Sequence, residues 1–151
     1  MSYSVPSREA AGYGEDALAH IRYDAGMAKL LIVDDCEASR ESLAFCFRDL
    51  GHTVTCVPNG REALWVVLAE QPDAILLDLM MPEMDGPSFL EVIRSYLRIQ
   101  SLPVVVLTGL AESPMIDRAR ALKANSILVK GKATPDDILK ALEEALVRYP
   151  G

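Results

Sequence analysis

The sequence predicts an α/β fold built on a five-stranded parallel sheet, doubly wound, with helices on both faces. Three observations predict it. Five short apolar runs, at 29–33, 53–57, 74–77, 104–107 and 126–129, alternate with five stretches of helical periodicity. Most of these runs are apolar at successive positions, as strands covered on both faces require. The connections are short, so each helix returns the chain to a parallel strand by a right-handed crossover.

Each element has its own signal. Lys29-Leu30-Leu31-Ile32-Val33 is a buried strand ending in Asp34 and Asp35, and the helix after it carries Leu43, Cys46, Phe47 and Leu50 on one side until Gly51 stops it. Thr53 to Val57 is β-branched and half alternating, and Pro58-Asn59-Gly60 leads into a helix through Ala63, Leu64, Val67 and Leu68. Ala74-Ile75-Leu76-Leu77 is the central strand. A helix through Phe89, Leu90, Ile93 and Leu97 follows it, and Val104 to Leu107 then delivers Thr108. Ser113 with Pro114 behind it is a cap and first-turn proline for a helix through Met115, Ala119 and Leu122. Ser126 to Val129 ends at Lys130. Thr134-Pro135-Asp136-Asp137 repeats the cap-and-proline start for a last helix through Ile138, Leu142, Ala145 and Leu146.

Residues 1–27 differ from the rest. They are rich in Ser, Gly, Ala and charge, and only Glu15 to Tyr23 could form a short helix, with Leu18 and Ile21 on one side. They read as a partly disordered N-terminal extension to a single domain over 28–148. The last helix uses the chain to about Val147, so no output module is expected after it.

Composition narrows the function. A net charge of -7 and a pI near 4.8 argue against direct binding of nucleic acid, which needs a basic face. Apolar runs fall far short of the ~20 residues of a membrane span and the N-terminus lacks a signal-like pattern, so no membrane contact and a cytoplasmic location are expected. Cys36, Cys46 and Cys56 are odd in number and lack metal-like or redox-like pairing, so reduced, partly buried thiols are expected.

The chain is organised around Asp78. It ends the central strand, and Pro82 and Gly86 in the following stretch, Leu79 to Gly86, prevent the strand from continuing. Parallel strands point one way, so Asp34 with Asp35, Asp78, Thr108 and Lys130 gather beyond one end of the sheet, where open α/β folds bind ligands. Taken singly, Asp34 or Thr108 could be a helix cap and Lys130 a solvated strand end. Together they form a chemical set. Three carboxylates held a few ångströms apart repel by about 4 kcal/mol per pair at an effective dielectric near 20, which a hard divalent cation such as Mg²⁺ relieves. With a hydroxyl and an ammonium beside them, the set suits phosphoryl transfer onto the Asp78 carboxylate.

At this point the residues resemble a family. Asp34-Asp35 after a buried strand, Asp78 with Met81-Pro82 and Asp85-Gly86, Thr108-Gly109 and Lys130, in that order, resemble the receiver domain of two-component response regulators, over roughly Ala28 to Val147. The resemblance implies the strand order 2-1-3-4-5. It also implies that Asp78 accepts a phosphoryl group from a histidine kinase or phosphotransfer protein. By the same resemblance Asp35 would ligate Mg²⁺ directly and Asp34 through water or weakly, Met80 would offer its backbone carbonyl, and Thr108 and Lys130 would hold the phosphoryl oxygens, with Thr108 moving as the switch.

The sequence departs from the family pattern in three places. Gly131 follows Lys130 where a proline in a cis peptide is usual, so a trans bond with a shifted loop or a strained exception is expected. Ile127 stands three residues before the lysine where the family usually has an aromatic switch residue. Met80 and Leu110, two residues beyond Asp78 and Thr108, are apolar and cannot orient an attacking water, so slow hydrolysis of an acyl phosphate is expected.

A receiver without an output module acts by docking, and a target protein, a phosphorelay partner, a second copy or a parent polypeptide from which this chain was cut are all compatible with the sequence. A basic fourth helix with Arg118, Arg120 and Lys123, beside a last helix with Asp136, Asp137, Glu143, Glu144 and Lys140, would suit a homodimer through the face of the fourth helix, fifth strand and fifth helix. Two other readings compete with the acceptor. A haloacid dehalogenase-like phosphatase needs its nucleophile after the first strand with a second aspartate two residues on, a spacing absent here. A receiver-like module that binds without phosphorylation is compatible with Gly131 and Ile127, but the full acidic set and Lys130 favour the acceptor.

Overall fold

A computed structural model describes residues 28–110 and 112–147. The expectation of a partly disordered or short helical extension at 1–27 lies outside them.

The elements alternate as predicted. In chain order they are β1 (Lys29–Val33), α1 (Glu37–Asp49), β2 (Thr53–Val57), α2 (Gly60–Glu70), β3 (Ala74–Leu77), α3 (Gly86–Ser95), β4 (Val104–Thr108), α4 (Pro114–Ala121), β5 (Ser126–Val129) and α5 (Pro135–Val147). The strands form one parallel sheet in the order β2-β1-β3-β4-β5. β3 is its middle strand and pairs with β1, Leu30 opposite Ala74 and Val33 opposite Leu77.

Burial follows the period of two that a pleated strand imposes. Leu30, Ile32, Leu76, Val105 and Leu107 join α1 and α5 in one core, with Phe47 and Leu142. Leu31, Val33, Ile75, Leu77, Val104 and Val106 face the opposite way, into a second core against Val67, Phe89, Ile93 and Ile116 of α2, α3 and α4. A sheet clamped between two cores holds its strand ends still, and those ends carry the polar set.

Caps fix where helices begin. The side chains of Asn59, Asp85 and Ser113 accept from the amides of Glu62, Ser88 and Ile116. At α5 the box is reciprocal: Thr134 Oγ1 accepts from Asp137 N at 3.1 Å while Asp137 Oδ2 accepts from Thr134 N at 2.9 Å. Arg94, near the end of α3, donates to four backbone carbonyls, those of Leu122, Gln100, Leu102 and Lys123, at 2.8 to 3.1 Å. It ties the end of α4 and the chain entering β4 to α3.

Several sequence expectations need correction. Leu50, Leu68 and Leu97 were placed on apolar helix faces, but all three are exposed, Leu97 by 85%. α3 stops at Ser95, so Leu97 lies past the helix, and Leu50 is the C-cap of α1. Cys46 and Cys56 are partly buried beside the first core, as expected, whereas Cys36 is exposed at the N-cap of α1; all three are free. Among the described residues no peptide bond is cis, so the Lys130–Gly131 bond is trans, with Gly131 at φ +85°. No described helix is long and apolar enough to cross a membrane.

Candidate functional site

The site is built by extending the sheet's hydrogen bonds one residue past the strands. Asp34 N donates to Val57 O at 3.1 Å, Asp78 N to Val33 O at 2.9 Å, and Lys130 N to Thr108 O at 2.8 Å. These ladder bonds set Asp34, Asp78 and Lys130 at defined heights on neighbouring strands. Loop bonds do the rest: Gly86 N donates to Leu79 O at 2.9 Å and Gly60 N to Met84 O at 3.2 Å, folding 79–86 back over the end of β3.

That loop is packed to contact. A Cβ on Gly86 would stand 2.6 Å from the Asp78 carbonyl oxygen and 2.7 Å from Leu79 Cα, so only glycine fits.

The convergence predicted for the acids and the lysine is present. Asp34, Asp35 and Asp78 bring carboxylate oxygens within 4.8 Å of one another. Asp34 and Asp78 are buried and Asp35 is exposed. Lys130 Nζ lies 2.8 Å from Asp34 Oδ2 and 3.6 Å from Asp78 Oδ2. Thr108, at the end of β4, is fully buried, and its Oγ1 accepts from Leu110 N at 3.2 Å. Met80 stands exposed in the loop two residues after Asp78. Asp34 is not the N-cap of α1, a role that falls to Cys36 without a side-chain bond; instead Asp34 Oδ1 accepts from Cys36 N at 2.9 Å. Ser113, not Thr108, caps α4.

Two supports escaped the sequence reading. Arg40, one turn into α1, donates to the Asp34 carbonyl at 2.8 Å and steadies the loop that carries both acids. Asp85 caps α3 and so anchors the far end of the 79–86 loop. A cap-like Asp before Gly86-Pro87 was the available signal for the second; nothing local signals the first.

Burial and like charge dominate the electrostatics of the site. Burial pushes the Asp78 carboxyl up to about 6, with the charges of Asp34 and Asp35 adding to the effect and Lys130 and the Leu79 amide opposing it. Burial disfavours the Lys130 ammonium, but its hydrogen bond to Asp34 and the charges of Asp78, Asp34 and Cys36 outweigh that and raise its pKa. One ammonium, paired with two of the three carboxylates, leaves net negative charge in a confined space. An all-oxygen set of this spacing fits a hard divalent cation such as Mg²⁺, which prefers carboxylates and retained waters to nitrogen or sulfur.

The raised value has a stability consequence. Asp78 titrates near 6 when folded against an ordinary 3.8, so the folded state holds more protons between them and stability falls as pH rises through that window. In chelator-treated buffer Asp78→Asn is expected to exceed the wild type by about 2 kcal/mol above about pH 7, with no difference near pH 4. Urea unfolding of both proteins across pH checks this, and a constant difference would contradict it.

Comparison with known proteins places this architecture. Residues 30–143 match the family model of the response regulator receiver domain. An uncharacterized 14.6 kDa protein of Leptolyngbya boryana is 32% identical over 123 residues, 80% of this chain and 92% of its own length. Response regulator MprA of Mycolicibacterium vanbaalenii is 39% identical over 123 residues, again 80% of this chain, but the chain spans only 48% of MprA. The chemotaxis response regulator CheY4 of Vibrio cholerae superposes with a TM-score of 0.72 at 31% identity, covering 79% of this chain and 98% of that one. With the sheet order, the strand-end set and the matched span in agreement, the chain belongs to the response regulator receiver domains of two-component signalling.

Proposed function

We propose that this receiver domain takes a phosphoryl group onto Asp78 from a phosphohistidine of a histidine kinase or phosphotransfer protein, and thereby switches a protein-docking surface. The observation that carries the reading is the meeting of three carboxylates within 4.8 Å with one lysine, 2.8 Å from Asp34 and 3.6 Å from Asp78, at the carboxyl end of the sheet.

Asp78 Oδ attacks phosphorus, the donor's phosphorus–nitrogen bond breaks as the phosphorus–oxygen bond forms, and the imidazole leaves, taking a proton from solvent. Asp34, Asp35, Asp78 and the Met80 backbone carbonyl would hold Mg²⁺, which when bound offsets the negative charge of the acids and the transferring group. Lys130 exchanges part of its contact with Asp34 and Asp78 for phosphoryl oxygens. Thr108 Oγ1 already accepts from Leu110 N, which leaves its hydroxyl hydrogen to donate to the phosphoryl group as the switching contact. Ile127, half buried against the second core, has no hydroxyl or ring to report that movement, so the signal leaves through the backbone and α4. Its destination is a target protein or a second copy on the α4–β5–α5 face.

Intact mass after incubation with acetyl phosphate and Mg²⁺ tests the acceptor. One phosphoryl addition is expected, requiring Mg²⁺ and absent in Asp78→Asn; no addition, where another receiver reacts, would leave a module that binds without phosphorylation. The acyl phosphate is expected to persist for minutes or longer, because Met80 and Leu110 offer no group to orient water. Decay of the added mass within seconds after donor removal would contradict that.

A further inference from the structure

The turn that enters α1 is held differently from those that enter the other helices. α2, α3, α4 and α5 each begin on a side-chain cap, from Asn59, Asp85, Ser113 and Thr134, whereas Cys36 precedes α1 without a side-chain bond. The bonds made by Asp34 take the place of a cap. Its N–H donates to Val57 O at 3.1 Å, its Oδ1 accepts from Cys36 N at 2.9 Å, and its Oδ2 lies 2.8 Å from Lys130 Nζ. Its carbonyl accepts from Arg40 Nη1 at 2.8 Å, so every polar group of Asp34 is engaged.

Asp35 stands in contrast. Its side chain is exposed and has no hydrogen bond or ion pair among the described residues, so its aim is set by its backbone alone. The carbonyl that Arg40 holds belongs to the peptide joining the two acids. A peptide is planar, so anchoring its oxygen constrains both ψ of Asp34 and φ of Asp35, and with them the direction of the Asp35 side chain. Arg40 is half buried, one turn into α1, and its guanidinium is a rigid donor suited to such an anchor.

We propose that Arg40 is a positioning residue for the cation site: by holding the peptide between Asp34 and Asp35 it aims the Asp35 carboxylate and so sets the affinity of the three-acid cluster for a hard divalent cation. This role rests on Asp34, Asp35 and Asp78 being the cation ligands. The sign of the effect separates positioning from charge. A positive charge beside the acids opposes cation binding, so removing charge alone would tighten it, whereas losing the aim of Asp35 weakens it.

Mn²⁺ binding to the full 151-residue chain, read as loss of the free-ion electron paramagnetic resonance signal, tests this with an ion of the same oxygen preference. Arg40→Met is expected to bind Mn²⁺ about ten-fold more weakly than the wild type. Arg48 supplies a matched control. It also donates from α1 to a backbone carbonyl, that of Val54 at 2.7 Å, but eight residues and roughly 12 Å farther along the helix. Arg48→Met removes the same charge and the same kind of bond, and its Mn²⁺ affinity is expected to match the wild type. In phosphorylation by acetyl phosphate, Arg40→Met is expected to need about ten-fold more Mg²⁺ for half-maximal rate, with a maximal rate within about threefold of the wild type. Unchanged or tighter Mn²⁺ binding by Arg40→Met would overturn the proposal. So would equal weakening in Arg48→Met, or a maximal rate that excess Mg²⁺ does not restore, since either would make Arg40 a residue of the fold alone. A wild type that binds no Mn²⁺ would instead remove the three acids as cation ligands, and this role of Arg40 with them.

Discussion

Gly86→Ala is expected to destabilise the domain by about 3 kcal/mol or more and to abolish phosphoryl acceptance with it. The two nearest clashes are with backbone, the Asp78 carbonyl oxygen at 2.6 Å and Leu79 Cα at 2.7 Å, so no side-chain rotation relieves them. The chain can accommodate the methyl only by moving the peptide of the acceptor itself. Gly109 supplies the control, because a Cβ there meets nothing within 4 Å and its alanine variant is expected within about 0.5 kcal/mol of the wild type. Urea midpoints of the two variants decide the matter: similar midpoints would mean that the 79–86 loop is not packed as described.

Lys130→Met is expected to slow phosphorylation by acetyl phosphate about 100-fold, the scale on which removal of one positioned donor from a charged transition state is felt. It also removes the sole ammonium within ion-pair reach of Asp34 and Asp78 among the described residues, so the Asp78 carboxyl rises further above about 6 and the domain loses about 2 kcal/mol near neutral pH. Lys130→Arg keeps the charge but replaces a mobile point charge by a rigid fork, and an intermediate rate is expected. A Lys130→Met protein that phosphorylates within about threefold of the wild type would exclude Lys130 from the chemistry.

The alternation of apolar runs and helical periods made the sheet legible, because a parallel strand buried on both faces has few compositional alternatives. The strand ends were legible for the same reason: once the direction of each strand is known, Asp34, Asp78, Thr108 and Lys130 must lie at one end. What periodicity cannot reveal is where a helix runs out of partners. Leu97 fits the spacing of Phe89, Leu90 and Ile93, yet α3 ends two residues before it and nothing covers it in the described structure. Leu68 fits α2 equally well and lines an open groove. Within the site, residue types were legible and distances were not. That Lys130 sits closer to Asp34 than to Asp78, that Arg40 braces the Asp34 carbonyl, and that Gly86 touches the acceptor's backbone all depend on contacts between segments far apart in sequence.

The ion pair between Lys130 and Asp34 joins the last strand to the first, nearly the whole domain apart in sequence. Ribosomes add about 5–20 residues per second, so some 5 to 20 seconds pass between the synthesis of Asp34 and that of Lys130. Throughout that interval the nascent chain can pair β1 with β2 and then β3, and the second pairing brings Asp78 beside Asp34 and Asp35 with no lysine between them. The acidic end of the sheet therefore closes last, and any nascent chain halted before β5 keeps that end open and negatively charged.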